Sequence, residues 1–178
     1  MAKGLLPTKT MIKIAVTGPE SCGKTTLCKQ LSRETYSMWI PEFARTYLEK
    51  QDGNYEKADL DAIALGQFEL WKKQAEGELV FFDTEMTVLK VWSDFVFGEC
   101  SSVIMKQYEA QVFDHYFLCA PDIPWEADPL REHPHHREEL FEQYKSELIK
   151  MKRPFTIVKG NEQERLSVCK QILQSIIG

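Results

Sequence analysis

The sequence lacks the features of membrane-spanning, secreted and nucleic-acid-binding proteins. It has no apolar run of about 18 residues, the length that a membrane-spanning helix needs. Its lysine-containing start has only short apolar runs, whereas a secretory signal peptide has a long apolar centre. The formal net charge of −5 gives no basic surface for a nucleic acid. We therefore expect small-molecule partners, with neither a membrane nor a nucleic acid among them.

Cysteine is sparse and scattered along the chain. The five cysteines include no CxxC pair, and an odd number cannot all pair in a disulfide framework. We therefore predict a reducing compartment and a cytoplasmic location. A chain of 178 residues can bury about 70% of its unfolded surface, so we expect residues 1–178 to form a single domain without cross-links.

Short apolar runs alternate with segments of helical periodicity. The runs predict strands at 11–16, 36–40, 79–83, 115–121 and 154–160, and the periodic segments predict helices at 24–34, 42–51, 59–76, 87–97, 103–111 and 162–177. Because parallel strands need long crossovers, this order predicts a three-layer α/β fold with a parallel five-stranded sheet and helices on both faces. The proline-rich segment 121–136 interrupts both patterns, and we predict that it is a lid above the sheet.

A phosphate-binding motif follows the first predicted strand. The stretch GPESCGKT, residues 18–25, matches G-x-x-x-x-G-K-[ST] between a strand and a helix, as this motif requires. Its backbone N–H groups turn toward phosphate oxygens, and the helix N-terminus adds positive charge. We assign Lys24 to the β- and γ-phosphates of ATP and the Thr25 hydroxyl to Mg²⁺. The residues predicted to bind the ATP phosphates are Gly18, Glu20, Ser21, Cys22, Gly23, Lys24, Thr25 and Thr26.

Other motifs narrow the class of phosphate-loop protein. No Asn-Lys-x-Asp is present to read guanine, and the third predicted strand is followed by no Asp-x-x-Gly of a GTP switch. The chain is also short for an ATPase that moves other macromolecules. A small-molecule kinase with the P-loop nucleotide kinase fold remains, with ATP and Mg²⁺ as its cofactors.

Two carboxylates follow predicted strands and are candidates for catalysis. Asp83 ends the run 79–83, where a parallel sheet delivers side chains to the ligand crevice, and we assign it to Mg²⁺. Glu42 follows the second predicted strand on the same rim of the crevice. It is our candidate for the general base or for the group that orients the acceptor hydroxyl. The roles of Glu42 and Asp83 could be exchanged.

Arginines and aromatic residues complete the candidate site. Arg131 and Arg137 lie in or beside the predicted lid, where arginines would cover the phosphates and neutralise developing charge. Arg45 follows Glu42 by three residues and therefore shares its helical face. Aromatic faces can stack on a planar base. The predicted acceptor-binding residues are Glu42, Arg45, Tyr47, Trp92 and Trp125, and substrate specificity is expected around Tyr47, Trp92 and Phe95.

The stretch HPHH, residues 133–136, raises the question of a metal site. Pro134 interrupts the stretch, and no matching cluster of Cys or His occurs elsewhere in the sequence. We interpret HPHH as a polar loop before a helix.

Several motifs together resemble the ribosylnicotinamide kinase domain of the NadR family. They are VTGPESCGKTTL, PEFARTYL, DLDAIALGQ, FFDTE, KVWSDFVFG, YFLCAPDIPWEADPLRE and HHREELFEQY, and they span residues 12–160. The resemblance implies ATP-dependent phosphorylation of the ribose 5′-hydroxyl of nicotinamide riboside, which gives nicotinamide mononucleotide for NAD salvage. It also implies that Glu42 and the helix carrying Trp92 face the nucleoside, and that PWEADPLRE is the lid.

The sequence departs from the family pattern at two places. Family members often carry an adenylyltransferase domain before the kinase, and only ten residues precede the first predicted strand here, so we do not expect this chain to make NAD itself. Pro129 stands in the lid where a glycine is expected. Two alternatives remain open: a kinase of another nucleoside or small hydroxylated metabolite, and an ATP-binding regulatory module that transfers no phosphate.

Overall fold

A computed structural model describes residues 11–178, and the ten residues before them lie outside the described part of the chain. Residues 11–178 form five strands and seven helices, with one or two helices after each strand. The strands are β1 (Ile12–Thr17), β2 (Met38–Ile40), β3 (Leu79–Asp83), β4 (His115–Cys119) and β5 (Phe155–Val158). The helices are α1 (Lys24–Thr35), α2 (Phe43–Glu49), α3 (Lys57–Gln74), α4 (Met86–Phe97), α5 (Ser102–Ala110), α6 (Arg137–Lys150) and α7 (Glu162–Ile177). None of these helices is long and apolar enough to cross a membrane.

The strands form one parallel sheet in the order β2-β3-β1-β4-β5. This arrangement confirms the predicted five-stranded parallel sheet of a P-loop α/β fold. The order places β1 between β3 and β4, so the chain leaves β1 for one side of the sheet and later returns to the other side. Ligands of open parallel sheets bind beyond the carboxyl ends of the strands at this point of reversal. The register pairs Val16 of β1 with Asp83 of β3, so Asp83 reaches this position.

Both faces of the sheet are buried, because successive strand residues pack against opposite helical layers. Phe82 belongs to the core that includes residues of α3, α4, α5 and α6, whereas its neighbour Phe81 belongs to the core with α1 and α7. Both phenylalanines are at most 2% exposed. Strands that are buried on both faces have continuous apolar runs rather than alternating ones, as LVFFD does.

One strand begins later than the sequence predicts, for a local reason, whereas the predicted lid has the expected irregular backbone. Tyr36 was expected in a strand, but it is the C-cap of α1, with a φ of 51° and a 99% exposed side chain. The strand β2 therefore begins only at Met38. The predicted lid, residues 121–136, contains neither helix nor strand, and α6 begins directly after it at Arg137.

Candidate active site

The phosphate loop, residues 18–25, connects β1 to the N-terminus of α1. Gly18 has a φ of +135°, and a Cβ atom there would lie 2.7 Å from the carbonyl oxygen of Cys119. Gly23 is the N-cap of α1 with a φ of +82°. Both positions favour glycine because L side chains rarely adopt this backbone conformation. The loop thus passes close to the end of β4 and then directs the positive end of α1 into the crevice.

Lys24, the first residue of α1, has its side chain folded back onto the start of the phosphate loop. Its Nζ donates hydrogen bonds to the carbonyl oxygens of Gly18 at 2.9 Å and Pro19 at 2.7 Å. Burial disfavours the charged form, but the nearby Cys22, Glu42 and Asp83 outweigh it and raise the pKa of Lys24. The side chain therefore stays positively charged at neutral pH, as a phosphate ligand must.

Thr25 and Asp83 meet below the phosphate loop although 58 residues separate them. The Thr25 hydroxyl donates to Oδ2 of Asp83 at 2.6 Å, and Oδ1 of Asp83 is buried without a hydrogen-bond partner among the described residues. Burial raises the pKa of Asp83, although the Thr25 hydrogen bond and Lys24 oppose the shift. A hydroxyl and a carboxylate with one unpaired oxygen form a donor set that suits Mg²⁺. The residues present therefore fit the metal predicted from the sequence.

Glu42 stands at the start of α2 with its carboxylate directed to the crevice rather than to the helix. It occupies the N-cap position, but its side chain makes no capping hydrogen bond. The side chain is half-buried and lines the cavity beside Lys24 and Thr25. Burial raises the pKa of Glu42, with Lys24 opposing the shift and Asp83 adding to it. A carboxylate with a raised pKa is better suited to accept a proton near neutral pH.

The lid, residues 121–136, is bound to the phosphate loop by side chains of the loop itself. The Glu20 carboxylate accepts hydrogen bonds from the backbone N–H groups of Glu132 and His133, both at 3.0 Å. The Ser21 hydroxyl accepts from the backbone N–H of Glu126 at 2.9 Å and from Nη1 of Arg131 at 3.2 Å. Glu20 and Ser21, which were expected to contact ATP, therefore also dock the lid.

Two further arginines hold the lid over the crevice. Arg137, the first residue of α6, donates to the carbonyl oxygens of Ser21 at 3.1 Å and Ile123 at 3.0 Å. Arg45 forms an ion pair with Asp128 of the lid at 2.9 Å. Arg131 and Arg137, the arginines predicted in or beside the lid, thus bridge it to the phosphate loop. Arg45, which was predicted to bind the acceptor, bridges it to α2.

The sequence analysis missed Arg165 of α7, which is only 4% exposed. Its guanidinium donates to the carbonyl oxygens of Cys22 at 2.6 Å, Ala120 at 2.9 Å and Gly160 at 2.8 Å, and it pairs with Asp122. One side chain therefore joins the phosphate loop, the start of the lid and the turn before α7. The signal was its position, since spacings of four and eight residues place it on the buried stripe with Cys169 and Leu173.

These elements enclose a cavity of about 270 Å³ with two chemically different ends. Residues of the phosphate loop form one end, and Glu42, Arg45 and Arg131 stand along the wall. The other end is mostly apolar and is formed by α2, α4 and α6, with Leu48, Val88, Val91, Trp92, Phe95 and Tyr144 among its lining residues. The arrangement suits a ligand that has phosphates at one end and a planar ring at the other.

Two predicted acceptor-binding residues lie outside this cavity wall, which corrects their expected placement. The Tyr47 hydroxyl donates to Asp59 at 2.7 Å, so its polar end is directed to α3. The ring of Trp125 lies against Arg137, and the Cζ atom of Arg137 is 5.7 Å from the ring centroid. Trp92 does line the cavity, and its Nε1 donates to the Tyr55 hydroxyl at 2.9 Å.

Comparison with known sequences gives a family. The sequence model of a family described as AAA domain matches residues 13–165. The chain is also 30% identical over 126 residues to the trifunctional NAD biosynthesis/regulator protein NadR of Salmonella typhimurium. This match covers 66% of the chain but only 30% of that relative's length. The resemblance to NadR that the motifs indicate is confirmed.

Comparison with solved structures gives the same fold. A NadR protein in complex with NR has a TM-score of 0.71 at 22% identity, over 85% of this chain and 46% of that one. A deoxyadenosine kinase from M. mycoides has a TM-score of 0.64 at 15% identity, over 92% of this chain and 100% of that one. Because these identities are low, the similarities show the shared kinase-like fold and do not identify a substrate.

Proposed function

Because the chain belongs to the AAA domain family, we propose that it is an ATP-dependent kinase that phosphorylates the ribose 5′-hydroxyl of nicotinamide riboside. The observation that carries this proposal is the two-ended cavity. Glu42 and Thr25 line this cavity together with the phosphate loop and the ring-binding residues, and the Thr25 hydroxyl donates to Asp83. A reaction between a terminal phosphate and a hydroxyl on a ring-bearing acceptor fits this order of groups.

The phosphate end would bind ATP through the loop amides, Lys24 and the N-terminus of α1. Thr25 and Asp83 would hold Mg²⁺, which when bound neutralises charge on the transferring phosphate. Arg131 would add positive charge from the lid. Closure of the lid over the loop would exclude water, which otherwise competes with the acceptor for the phosphate.

Transfer requires one bond to form and one to break. The acceptor hydroxyl oxygen forms a bond to the γ-phosphorus of ATP, the bond between that phosphorus and the β,γ-bridging oxygen breaks, and ADP leaves with the electron pair. The hydroxyl proton passes to Glu42. We prefer Glu42 to Asp83 as the base because one oxygen of Asp83 accepts from Thr25 and the other suits the metal.

The aromatic end of the cavity supports nicotinamide riboside as the acceptor. The nicotinamide ring of this nucleoside is planar and positively charged, and aromatic faces attract cations. Trp92 and Phe95 line that end, and Trp92 is fixed by its hydrogen bond to Tyr55. The similarity to a NadR protein in complex with NR agrees with this choice.

The test is ADP formation with Mg²⁺ and ATP over nicotinamide riboside, the common nucleosides and deoxynucleosides, and no acceptor. We expect selective turnover with nicotinamide riboside, and we expect Lys24→Ala to abolish it. Preference for a deoxynucleoside would retain the kinase and replace the substrate. ATP binding without acceptor-dependent ADP would indicate a regulatory module and contradict the proposal.

A further inference from the structure

His133 is the residue of the HPHH stretch that lines the cavity. Its Nε2 is buried and has no hydrogen-bond partner among residues 11–178. His135 and His136 of the same stretch are exposed. Buried polar atoms nearly always have a partner, and an unpaired one in a residue of the cavity wall is a group that a bound ligand would satisfy.

The backbone and the ring of His133 each contact a neighbouring element. Its backbone N–H donates to the Glu20 carboxylate, which attaches this part of the lid to the phosphate loop. Its ring packs edge to face on Phe95 of α4, with centroids 5.0 Å apart and an interplanar angle of 72°. The unpaired nitrogen therefore lies beside the same aromatic wall that would contact the acceptor ring.

A carboxylate lies beside the unpaired nitrogen of His133. Oε2 of Glu132 is 3.9 Å from Nε2, which is close but too far for a hydrogen bond. The Tyr55 hydroxyl donates to the same carboxylate oxygen at 2.7 Å, and burial raises the pKa of Tyr55, so this donor stays protonated. Nε2 of His133 therefore lies beside a carboxylate oxygen that the Tyr55 hydroxyl holds in place.

We propose that His133 and Glu132 select the substituent on the acceptor ring. Nε2 of His133 donates a hydrogen bond to the carbonyl oxygen of a ring carboxamide, and the Glu132 carboxylate disfavours a negatively charged ring carboxylate at the same place. The inference rests on the proposed function. It predicts discrimination between nicotinamide riboside and nicotinic acid riboside, two acceptors that differ only in this group.

The experiment compares kcat/KM for the two ribosides in the wild type and four variants. His133→Phe keeps an aromatic ring against Phe95 but removes the donor, and we expect about a tenfold loss with nicotinamide riboside and an unchanged KM for ATP. His133→Gln retains an N–H donor and should recover most of the loss. Glu132→Gln removes the charge while leaving an oxygen for Tyr55, and should increase the relative use of nicotinic acid riboside several-fold. His135→Gln is the matched control and should behave as the wild type.

Three results would overturn this inference, and they can be told apart. If the wild type uses nicotinamide riboside but the ratio between the two ribosides is unchanged in His133→Phe and Glu132→Gln, the selection by His133 and Glu132 is wrong and the kinase proposal stands. If the wild type uses neither riboside while it phosphorylates another nucleoside, the proposed substrate and the inference fail together. Equal loss for both ribosides in His133→Phe and His133→Gln would indicate a role in lid structure alone.

Discussion

At the scale of single residues, the turn after β3 carries the strongest sign of a functional constraint. Thr84, which follows Asp83, has a φ of 81°, a left-handed conformation that is unfavourable for a β-branched residue. Its backbone N–H donates to the carbonyl oxygen of Val16 at 3.1 Å, which ties the turn to β1. Glu85 then caps α4 by accepting from the backbone N–H of Thr87. Strain of this kind persists where surrounding contacts impose it, and here it occurs at the residue directly after Asp83.

Asp83→Asn tests the assigned metal ligand with almost no change in shape. An amide can still accept from Thr25 but lacks the charge that attracts Mg²⁺, so kcat should fall roughly 100-fold and its dependence on Mg²⁺ concentration should weaken. The measurement is ADP formation across a Mg²⁺ titration. Asp52→Asn is the matched control, because Asp52 is exposed in the turn after α2. Unchanged turnover in Asp83→Asn would contradict the metal assignment.

Glu42→Gln tests the assigned base through the dependence of kcat on pH. A base acts when it is deprotonated, so activity should fall as the pH decreases through the pKa of Glu42, and burial shifts that fall to a higher pH than for an ordinary glutamate. The variant should lose about 100-fold in kcat and also lose this acidic limb. A variant that retains the limb would assign it to Asp83, whose pKa burial also raises.

At the scale of elements, the lid is attached through variable positions of the phosphate-loop motif. An acidic residue in a loop that binds polyphosphate is unfavourable for the ligand, but Glu20 satisfies two lid N–H groups. Its carboxylate therefore interacts with the lid backbone. Opening of the lid would expose that carboxylate to the phosphates.

Glu20→Ala should loosen the lid without removing a catalytic group. We expect a several-fold rise in ADP formation without acceptor, because water gains access when the lid opens more often. Amide hydrogen exchange within residues 121–136 should accelerate, and Glu20→Gln, which keeps an accepting oxygen, should lie between the variant and the wild type. If both the amide hydrogen exchange and the ADP formation without acceptor are unchanged in Glu20→Ala, these two hydrogen bonds do not hold the lid.

The elements themselves were largely predictable from sequence because their signals are local. All five predicted strands are present, and the helix predicted at 162–177 has the observed bounds. Tyr36 was misassigned because an apolar run cannot distinguish a strand residue from an aromatic helix cap. The contacts of the lid were not predictable, since Glu20 and His133 are joined by chain folding across 113 residues rather than by any periodicity.

At the scale of the whole molecule, the sheet order determines which distant residues form the site. The central strand β1 brings the phosphate loop between β3, which carries Asp83, and β4, which leads into the lid. This strand order fixes the phosphate end of the cavity, which the sequence motif alone predicted. The ring end depends on how α2, α4 and α6 pack over the sheet. The sequence did not reveal this packing, so Tyr47 was predicted to bind the acceptor although its hydroxyl is directed to Asp59 of α3.

Arg165 joins the phosphate loop, the start of the lid and the turn before α7, so its removal tests how much these contacts stabilise the fold. Arg165→Ala would leave carbonyl oxygens of Cys22, Ala120 and Gly160 without their buried donor, and Asp122 without its ion pair. We expect a loss of about 3 kcal/mol in the free energy of unfolding, or roughly 10 °C in Tm. Arg33→Ala, on the exposed end of α1, is the control and should unfold as the wild type does.

The same variant should also bind ATP less tightly, because Arg165 fixes the Cys22 carbonyl of the phosphate loop. ATP at 100 times its Kd stabilises a folded protein by about 2.7 kcal/mol, so thermal unfolding with and without Mg²⁺ and ATP measures this coupling. At an ATP concentration that saturates the wild type, Arg165→Ala should gain clearly less stabilisation. A variant that unfolds earlier but gains as much from ATP as the wild type would confine Arg165 to stability and separate the α7 contact from the phosphate site.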